Sequence, residues 1–247
     1  MRVTVVGCSG SFPGPDSPAS CYLVEHDDTA ILLDLGNGAL GSLQRHIALD
    51  RIDAVLLTHL HADHCLDLTG YYVYRRYHPE GPRPSIPVYG PQGTAERLAH
   101  AYDLPVDPGM TREFDFQPLA LQMQIGPFTV TTARVRHPVE AYGLRVTAAG
   151  HSVVYSGDTG PTPALRELAR DANLALFEAS FLDGGEQPDV HMTARQAGEM
   201  ARDAGVRHLV LTHLVPWNDA GVTLAQAQEA FSGPIELARS GTVFDLA

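Results

Sequence analysis

His59, Leu60, His61, Ala62, Asp63 and His64 follow directly on an apolar run, AVLLT (54–58). Imidazole and carboxylate are the groups that catalytic zinc recruits. Residues two apart on an extended segment point the same way, so His59 and His61 can grip one ion. Asp63 and His64 come about one helical turn later and can face a second ion nearby. A lone histidine in a strand is more often a packed core residue, but the order H-x-H-x-D-H is not what packing asks for. Three more stretches follow the same grammar of apolar strand and polar tip. TTARVRHPVEAYG (131–143) places His137 after a strand, VVYSGDTG (153–160) places Asp158 in a turn, and LVLTHL (209–214) places His213 after the last long apolar run. Taken singly, Asp158 reads as a turn or N-cap aspartate and His137 as a loop imidazole beside Pro138.

The elements that must position these groups are short strands alternating with helices. Strands are expected at VTVVG, CYLVE, TAILLDL, AVLLT, IPVYG, FTVTTARV, YGLRVTA, SVVYS, LALFEA, HLVLT and TVFDL, each bounded by Gly, Pro or Asp. Helices are expected near 38–47, 64–77, 92–102, 162–171, 193–204 and 223–231. Thr193 with Gln196 and Thr223 with Gln226 read as capping boxes, and Thr162-Pro163 as an N-cap with proline in the first turn. Several consecutive strands have no helix between them. That mixture predicts an α/β fold of two mixed sheets with helices outside, in a single domain over 1–247. The Pro- and Gly-rich stretch 78–93 is a loop around one strand. AVLLTHL (54–60) echoes HLVLTHL (208–214), which would bring His59 and His213 to one edge of the core if the two strands lie near each other.

Composition narrows the function. The net charge of −12 argues against phosphate-neutralising binding of long nucleic acid. A small phosphorylated substrate stays open, because bound cations supply local positive charge. Cys8, Cys21 and Cys65 are odd in number with no CxxC, which fits free thiols in a reducing cytoplasm. No apolar run approaches the roughly 18 residues of a membrane span.

The ordered set H-x-H-x-D-H, His, Asp, His over residues 59–213 resembles the dinuclear hydrolases of the metallo-β-lactamase superfamily. The resemblance implies an αββα sandwich with two divalent metal ions, zinc with manganese or iron as alternatives, at one edge between the sheets. By position, His59, His61 and His137 would hold the first ion, Asp63, His64 and His213 the second, and Asp158 would bridge them. Aspartate at the bridging position, where several true β-lactamases have cysteine, argues against antibiotic hydrolysis. Two such ions about 3.5–4 Å apart supply a hydroxide nucleophile and bind substrate oxygen; Asp63 can orient or deprotonate that nucleophile.

LALFEASFLDGGEQPDVHMTARQAGEMA (174–201) resembles the Glu-Ala-Thr and His-x-Thr segments of ribonuclease Z and related phosphodiesterases. Here the first reads Glu178-Ala179-Ser180 and the second His191-Met192-Thr193. The resemblance implies His191 as general acid and Glu178 as its partner. The glycine-rich stretch at 7–25 resembles the same branch. Ribonuclease Z carries a long tRNA-clamping arm between the equivalents of His137 and Asp158; here about twenty residues separate them, enough for a hairpin. THLHADHCLDLTGYYVYRRYHP (58–79) is similar to atypical class II cyclic nucleotide phosphodiesterases, which makes cyclic AMP the leading substrate. The alternatives are an RNA-processing nuclease, a thioesterase and an iron-dependent redox protein. Relatives in this branch are often homodimers. The aromatic stretch Tyr71–Tyr77 reads as packing rather than a pocket wall, with Arg75 or Arg76 near phosphate in the other reading. Cys65 reads as a small buried side chain. His26, His46, His78, His100, His151 and His208 read as structural or surface residues.

Overall fold

A computed structural model describes residues 1–184 and 188–246. Strands β1 (Arg2–Gly7), β2 (Cys21–His26), β3 (Thr29–Leu33), β4 (Ala54–Leu56), β5 (Ile86–Gly90) and β6 (Phe114–Pro118) build the first sheet. Strands β7 (Gln122–Ile125), β8 (Phe128–Arg134), β9 (Tyr142–Ala148), β10 (His151–Tyr155), β11 (Leu174–Glu178), β12 (Leu209–Thr212) and β13 (Ile235–Leu237) build the second. The last strand, β14 (Val243–Asp245), returns to the first sheet beside β1. Each sheet is half antiparallel and half parallel. β1, β2 and β3 form a meander and β3 to β6 run parallel; β7 to β10 form a meander and β10 to β13 run parallel.

Alternation along the strands builds the layers, because successive side chains face opposite sides. Val3, Val5, Ile31, Leu33 and Leu56 meet Phe128, Val130, Leu144, Val146 and Leu176 between the sheets. The neighbours Val6, Leu32, Val55 and Leu57 face outward into α1 (Ala39–Leu43), α3 (Leu68–Tyr77) and α4 (Thr94–Ala101), after the short α2 (Ala62–Cys65). On the other side Val154, Ala175, Phe177 and Leu211 pack against α5 (Pro163–Leu168), α6 (Ala194–Ala204) and the start of the loop after α7 (Ala220–Gln228). The result is the αββα sandwich, with central strands buried on both faces and therefore apolar at nearly every position.

Three strands are absent from the sequence reading: β6, β7 and β13. All three are sheet edges with polar, exposed positions, such as the FDFQP of β6, so they lack the apolar run that marks a buried strand. The helix expected over 64–77 is two helices, broken at Leu66-Asp67, where the Asp67 carboxylate accepts from the Leu40 amide at 2.7 Å. Thr193 and Gln196 form their reciprocal capping box, and Thr162 caps α5. Thr223 does not cap. α7 starts earlier, on Asp219, which accepts from the Val222 amide; Thr223 lies inside the helix and donates to the Asp219 carbonyl. A carboxylate is the better N-cap acceptor, and it lies one turn upstream.

Candidate metal centre

The candidate ligands His59, His61, Asp63, His64, His137, Asp158 and His213, with Glu178 and His191, lie at one edge of the sandwich, for a topological reason. β1 and β3 are parallel to each other across β2, and β8 is parallel to β10 across β9. The C-terminal ends of β1, β3 and β4 in one sheet, and of β8, β10, β11 and β12 in the other, open on the same side. Asp34 follows β3, His59 follows β4, His137 follows β8, Asp158 follows β10, Glu178 ends β11 and His213 follows β12. The two echoing strands, β4 and β12, do deliver their histidines to this common edge: His59 and His213 both come within 4 Å of Asp158, at 3.7 and 3.4 Å. His61 is the N-cap of α2, and Asp63 and His64 sit in its only turn.

Two groups of ligand-type atoms result. His59, His61, His137 and Asp158 form one; Asp63, His64, Asp158 and His213 form the other. In the first, His61 Nδ1 lies 3.0 Å from His59 Nε2 and 3.2 Å from His137 Nε2. In the second, His64 Nε2 lies 3.2 Å from Asp158 Oδ1 and 3.5 Å from Asp63 Oδ2, while His213 Nε2 lies 3.2 Å from Asp63 Oδ2. Ligands at 2.0–2.1 Å around a tetrahedral zinc stand about 3.3–3.4 Å apart, so both groups have the spacing of a coordination shell.

The surrounding hydrogen bonds decide which ring nitrogens are bare. His64 gives its Nδ1 proton to Asp34 Oδ2 at 2.7 Å, and His137 gives its own to the Val190 carbonyl at 3.0 Å. His59 gives Nδ1–H to Thr58 Oγ1 at 3.1 Å, and that hydroxyl donates to Asp34 Oδ2 at 2.8 Å. His213 gives Nδ1–H to Ser180 Oγ at 2.8 Å. Each outer bond leaves an unprotonated Nε2 aimed inward, the second-layer device that fixes a metal-binding tautomer. Bare nitrogens facing one another cannot hydrogen-bond; they repel unless a cation stands among them. His64 Nε2 and Asp158 Oδ1 are buried, and for all their proximity neither makes a hydrogen bond. The donor set fits metal ions.

Electrostatics agree. Burial, then the neighbouring His64, drives His59 well below the ordinary imidazole value, and burial lowers His61 and His137, so these rings stay neutral, as ligands must. His64 goes the other way. Burial would lower it, yet Asp158 and Asp34 on either side raise it well above the ordinary value. A field that strong for a proton is equally a field for a cation. Asp63 and Asp158 stay ionised against their burial because of His213 and His64.

A third constellation adjoins these. His191 Nδ1 lies 2.8 Å from Glu178 Oε1, and that oxygen also accepts from the Thr159 amide at 2.7 Å. Glu178 Oε2 accepts from Ser180 Oγ at 2.8 Å. Glu178, His191 and His213 also lie close enough to hold an ion, but the carboxylate is already occupied by N–H and O–H donors, so this trio is a hydrogen-bonded relay. Through it Glu178 orients His191 directly and His213 by way of Ser180. Burial would lower His191, but the bond and charge of Glu178 override it and raise the imidazole to about 9, so it carries a proton at neutral pH.

The sequence profile of a β-lactamase superfamily domain matches residues 29–214. The chain belongs to this superfamily. An uncharacterized protein of Mycobacterium leprae is 44% identical over 257 residues, spanning all of this chain and 89% of its relative. The probable metallo-hydrolase YhfI of Bacillus subtilis is 31% identical over 254 residues, spanning 99% of this chain and 100% of its relative. The crystal structure of YhfI superposes with a TM-score of 0.89 over 99% of both chains, at 29% identity. A ribonuclease Z of Myxococcus xanthus is 29% identical over 305 residues, spanning 100% of this chain and 98% of its relative. The short form of human tRNase Z shares the fold, with a TM-score of 0.79 at 22% identity over 100% of both chains. The protein is a metal-dependent hydrolase of the β-lactamase superfamily, with His/Asp clusters able to bind metal.

Other parts of the superfamily member fall outside the centre. The stretch Tyr71–Tyr77 lies within α3 on the outer face of the first sheet, where the buried Tyr71 packs on Phe114 and donates to the Leu49 carbonyl at 2.8 Å. Arg75 is buried against the Tyr71 hydroxyl and the Pro84 carbonyl, and Arg76 pairs with Glu113 at 2.8 Å, so both guanidiniums are committed to packing and not to phosphate. Cys65 is buried and joins neither ligand group; burial pushes its thiol up to about 12. Asp34 stands outside the ligand motifs of the sequence; its carboxylate also accepts from the Thr58 amide at 2.7 Å and the Tyr155 hydroxyl at 2.9 Å. Its signal was a strand-ending Asp-Leu-Gly. Asp34 has φ +59°, a left-handed conformation that aspartate tolerates better than most residues. Ser180 shows in the sequence only as a serine where the resembled segment has threonine.

Proposed function

We propose that this protein is a dinuclear metal-dependent phosphodiesterase acting on a small phosphodiester, with a 3′,5′-cyclic nucleotide such as cyclic AMP as leading substrate. The observation that carries the reading is His191, held through Nδ1 on the buried Glu178 at 2.8 Å beside both ligand groups. Departure of an alkoxide from phosphorus needs such an acid, whereas a thiolate leaving an acyl carbon does not, which ranks thioesters lower. We assign His59, His61 and His137 to one ion and Asp63, His64 and His213 to the other, with Asp158 on both, all within one domain. Zinc is the first candidate for these nitrogen-rich shells, manganese or iron the alternatives. Bound ions would supply positive charge to the phosphoryl oxygens and acidify the attacking water, to about pKa 7 for zinc.

The chain's own groups do the rest. Asp63, in the first turn of α2, orients the attacking water or takes its proton. The water oxygen forms the new bond to phosphorus, and the opposite P–O ester bond breaks. The departing oxygen takes a proton from His191 Nε2, while Glu178 keeps the other nitrogen anchored and stabilises the charged ring beforehand. Ser180 and Asp34 hold His213 and His64 in register. Free, buried cysteines fit a cytoplasmic setting.

A second reading, an RNA-processing nuclease, draws support from the Myxococcus ribonuclease Z. The segment between β9 and β10 is a turn at Ala149-Gly150, which offers little with which to hold a tRNA, and the acidic balance favours a small substrate. Assaying 2′,3′- and 3′,5′-cyclic nucleotides beside precursor tRNA and an acyl thioester separates the readings. Turnover of a cyclic nucleotide with about two zinc or manganese ions per chain supports the proposal; turnover of precursor tRNA alone, or a single iron ion, overturns it.

A further inference from the structure

Two loops beside the metal centre carry aromatic rings that packing does not account for. Trp217, the one tryptophan in the chain, is 69% exposed, and Phe12 is 45% exposed. Their ring centroids lie 5.7 Å apart with planes inclined at 41°. Leaving an indole and a phenyl ring in water forgoes burial that the fold could have used.

Both loops are pinned to the centre. The Ser11 amide lies 3.4 Å from His213 Nε2, so Phe12 follows directly on a residue that touches a ligand nitrogen. The Gly10 amide donates to the Leu214 carbonyl at 3.0 Å, and the Leu214 amide to the Cys8 carbonyl at 3.0 Å, which stitches the loop after β1 to the loop after β12. On the far side of Trp217, the Asn218 side-chain amide donates to the Ser180 carbonyl at 2.9 Å. The aromatic pair thus stands beside His213 on a fixed footing.

We infer that Phe12 and Trp217 form the stacking platform for the nucleobase of the substrate. The inference rests on the phosphodiesterase reading above and deepens it. With the phosphodiester held at the ligand groups, the base of a nucleotide stands one sugar ring away, and Phe12 is the residue next to an amide that touches the His213 ring. Every base has a π face, so such a platform gives affinity for nucleotides over base-free diesters without strong choice among bases. Purines, with the larger face, gain most.

Being the sole tryptophan, Trp217 reports on itself. Adenosine 5′-monophosphate titrated into the metal-loaded protein is expected to quench its emission, and ribose 5-phosphate to leave it unaltered. Trp217→Ala is expected to raise KM for cyclic AMP about 5- to 100-fold, with kcat little moved, because the lost contact is made equally in ground and transition states. The preference for cyclic AMP over ribose 3′,5′-cyclic phosphate should collapse in that variant and return in Trp217→Phe. Equal quenching by both phosphates, no quenching, or an unaltered preference in Trp217→Ala overturns the platform. The two ideas fail separately. Quenching by the nucleotide without turnover of any cyclic nucleotide upholds the platform and sinks the phosphodiesterase reading; turnover with an unaltered preference does the reverse.

Discussion

Glu178→Gln tests whether a buried carboxylate poises His191 as an acid. Glutamine keeps the shape and an oxygen for the Thr159 amide but removes the charge. With Glu178 present, His191 is raised to about 9, against a burial that by itself lowers it. Without that charge, burial dominates and the imidazole falls to about 6.5 or below. Near pH 7.5 the protonated fraction then drops from about 0.97 to about 0.09 or less, a loss of about tenfold in kcat from proton occupancy alone. The bound cations act on both proteins alike, so the displacement between the two profiles isolates the carboxylate. The assay is kcat against pH for two diesters, one with an alkoxide leaving group and one with p-nitrophenolate, which departs without a proton. For the alkoxide substrate, the limb on which activity falls with rising pH should move down by more than two units in Glu178→Gln. For the nitrophenyl substrate the two proteins should nearly coincide. The same pair has a stability signature of known sign: His191 is raised in the folded state, so its contribution is complete below about pH 6.5 and is lost as pH rises through about 9. The difference in Tm between wild type and variant should therefore close in alkali. Coincident limbs for the alkoxide substrate, or equal losses on both substrates, would refute the acid assignment.

Asp34→Asn places an amide NH2 among four donors from Thr58, His64 and Tyr155; metal affinity at the Asp63–His64–His213 position should fall about 10- to 100-fold by chelator competition, and an unaltered affinity would deny Asp34 its orienting role. Ser180→Ala strips partners from both His213 Nδ1 and Glu178 Oε2. It should lower stability by about 1–3 kcal/mol in denaturant titrations and weaken the same metal position, and Ser180→Thr should restore both. Gly10→Ala would set a methyl group 2.6 Å from the His213 carbonyl oxygen. Since His213 holds φ +51°, a strained state for a β-substituted residue, the variant should bind about one metal ion per chain by elemental analysis; two retained ions would show that the glycine is incidental. Removing metal with a chelator should lower Tm, because saturation at about 100 times Kd is worth about 2.7 kcal/mol per position.

What could be read from the chain alone divides along a physical line. His59, His61, Asp63 and His64 were legible because four ligand-type side chains crowd one short segment, and His137, Asp158 and His213 because each follows shortly after a strand and completes the ordered set that resembles the superfamily. The orienting groups were not. Asp34, Ser180 and Thr58 are ordinary turn residues by type, and their roles exist only once β3, β4, β11 and β12 bring distant carbonyls, hydroxyls and rings together. The same holds for the edge strands: β6 and β13 gain their hydrogen bonds from a neighbour, with little apolar burial of their own to leave a pattern. Helix ends were readable where one cap competed, as at Thr193, and misread where Asp219 stood a turn ahead of Thr223.

Among the described residues four buried carboxylates converge on this edge, and they are not equivalent. Asp34 accepts from four donors, and Glu178 accepts from the Thr159 and Ser180 amides, the Ser180 hydroxyl and His191. Both are saturated by protein hydrogens, so they need no cation. Asp63 and Asp158 meet imidazole nitrogens, and Asp158 Oδ1 has no hydrogen bond at all. Burying such a charge is affordable only beside positive charge, and the rings around it are turned to present lone pairs. The saturated carboxylates therefore set the histidines, and the unsaturated ones create the demand for metal. The division makes the two classes of substitution distinguishable. Asp158→Asn removes demand at both positions and should lower occupancy of both ions together. Asp34→Asn disturbs a ring of one position and should lower that one first. An elemental analysis in which the two variants lose metal in the same proportions would mean that the carboxylates act as one undifferentiated pool of negative charge.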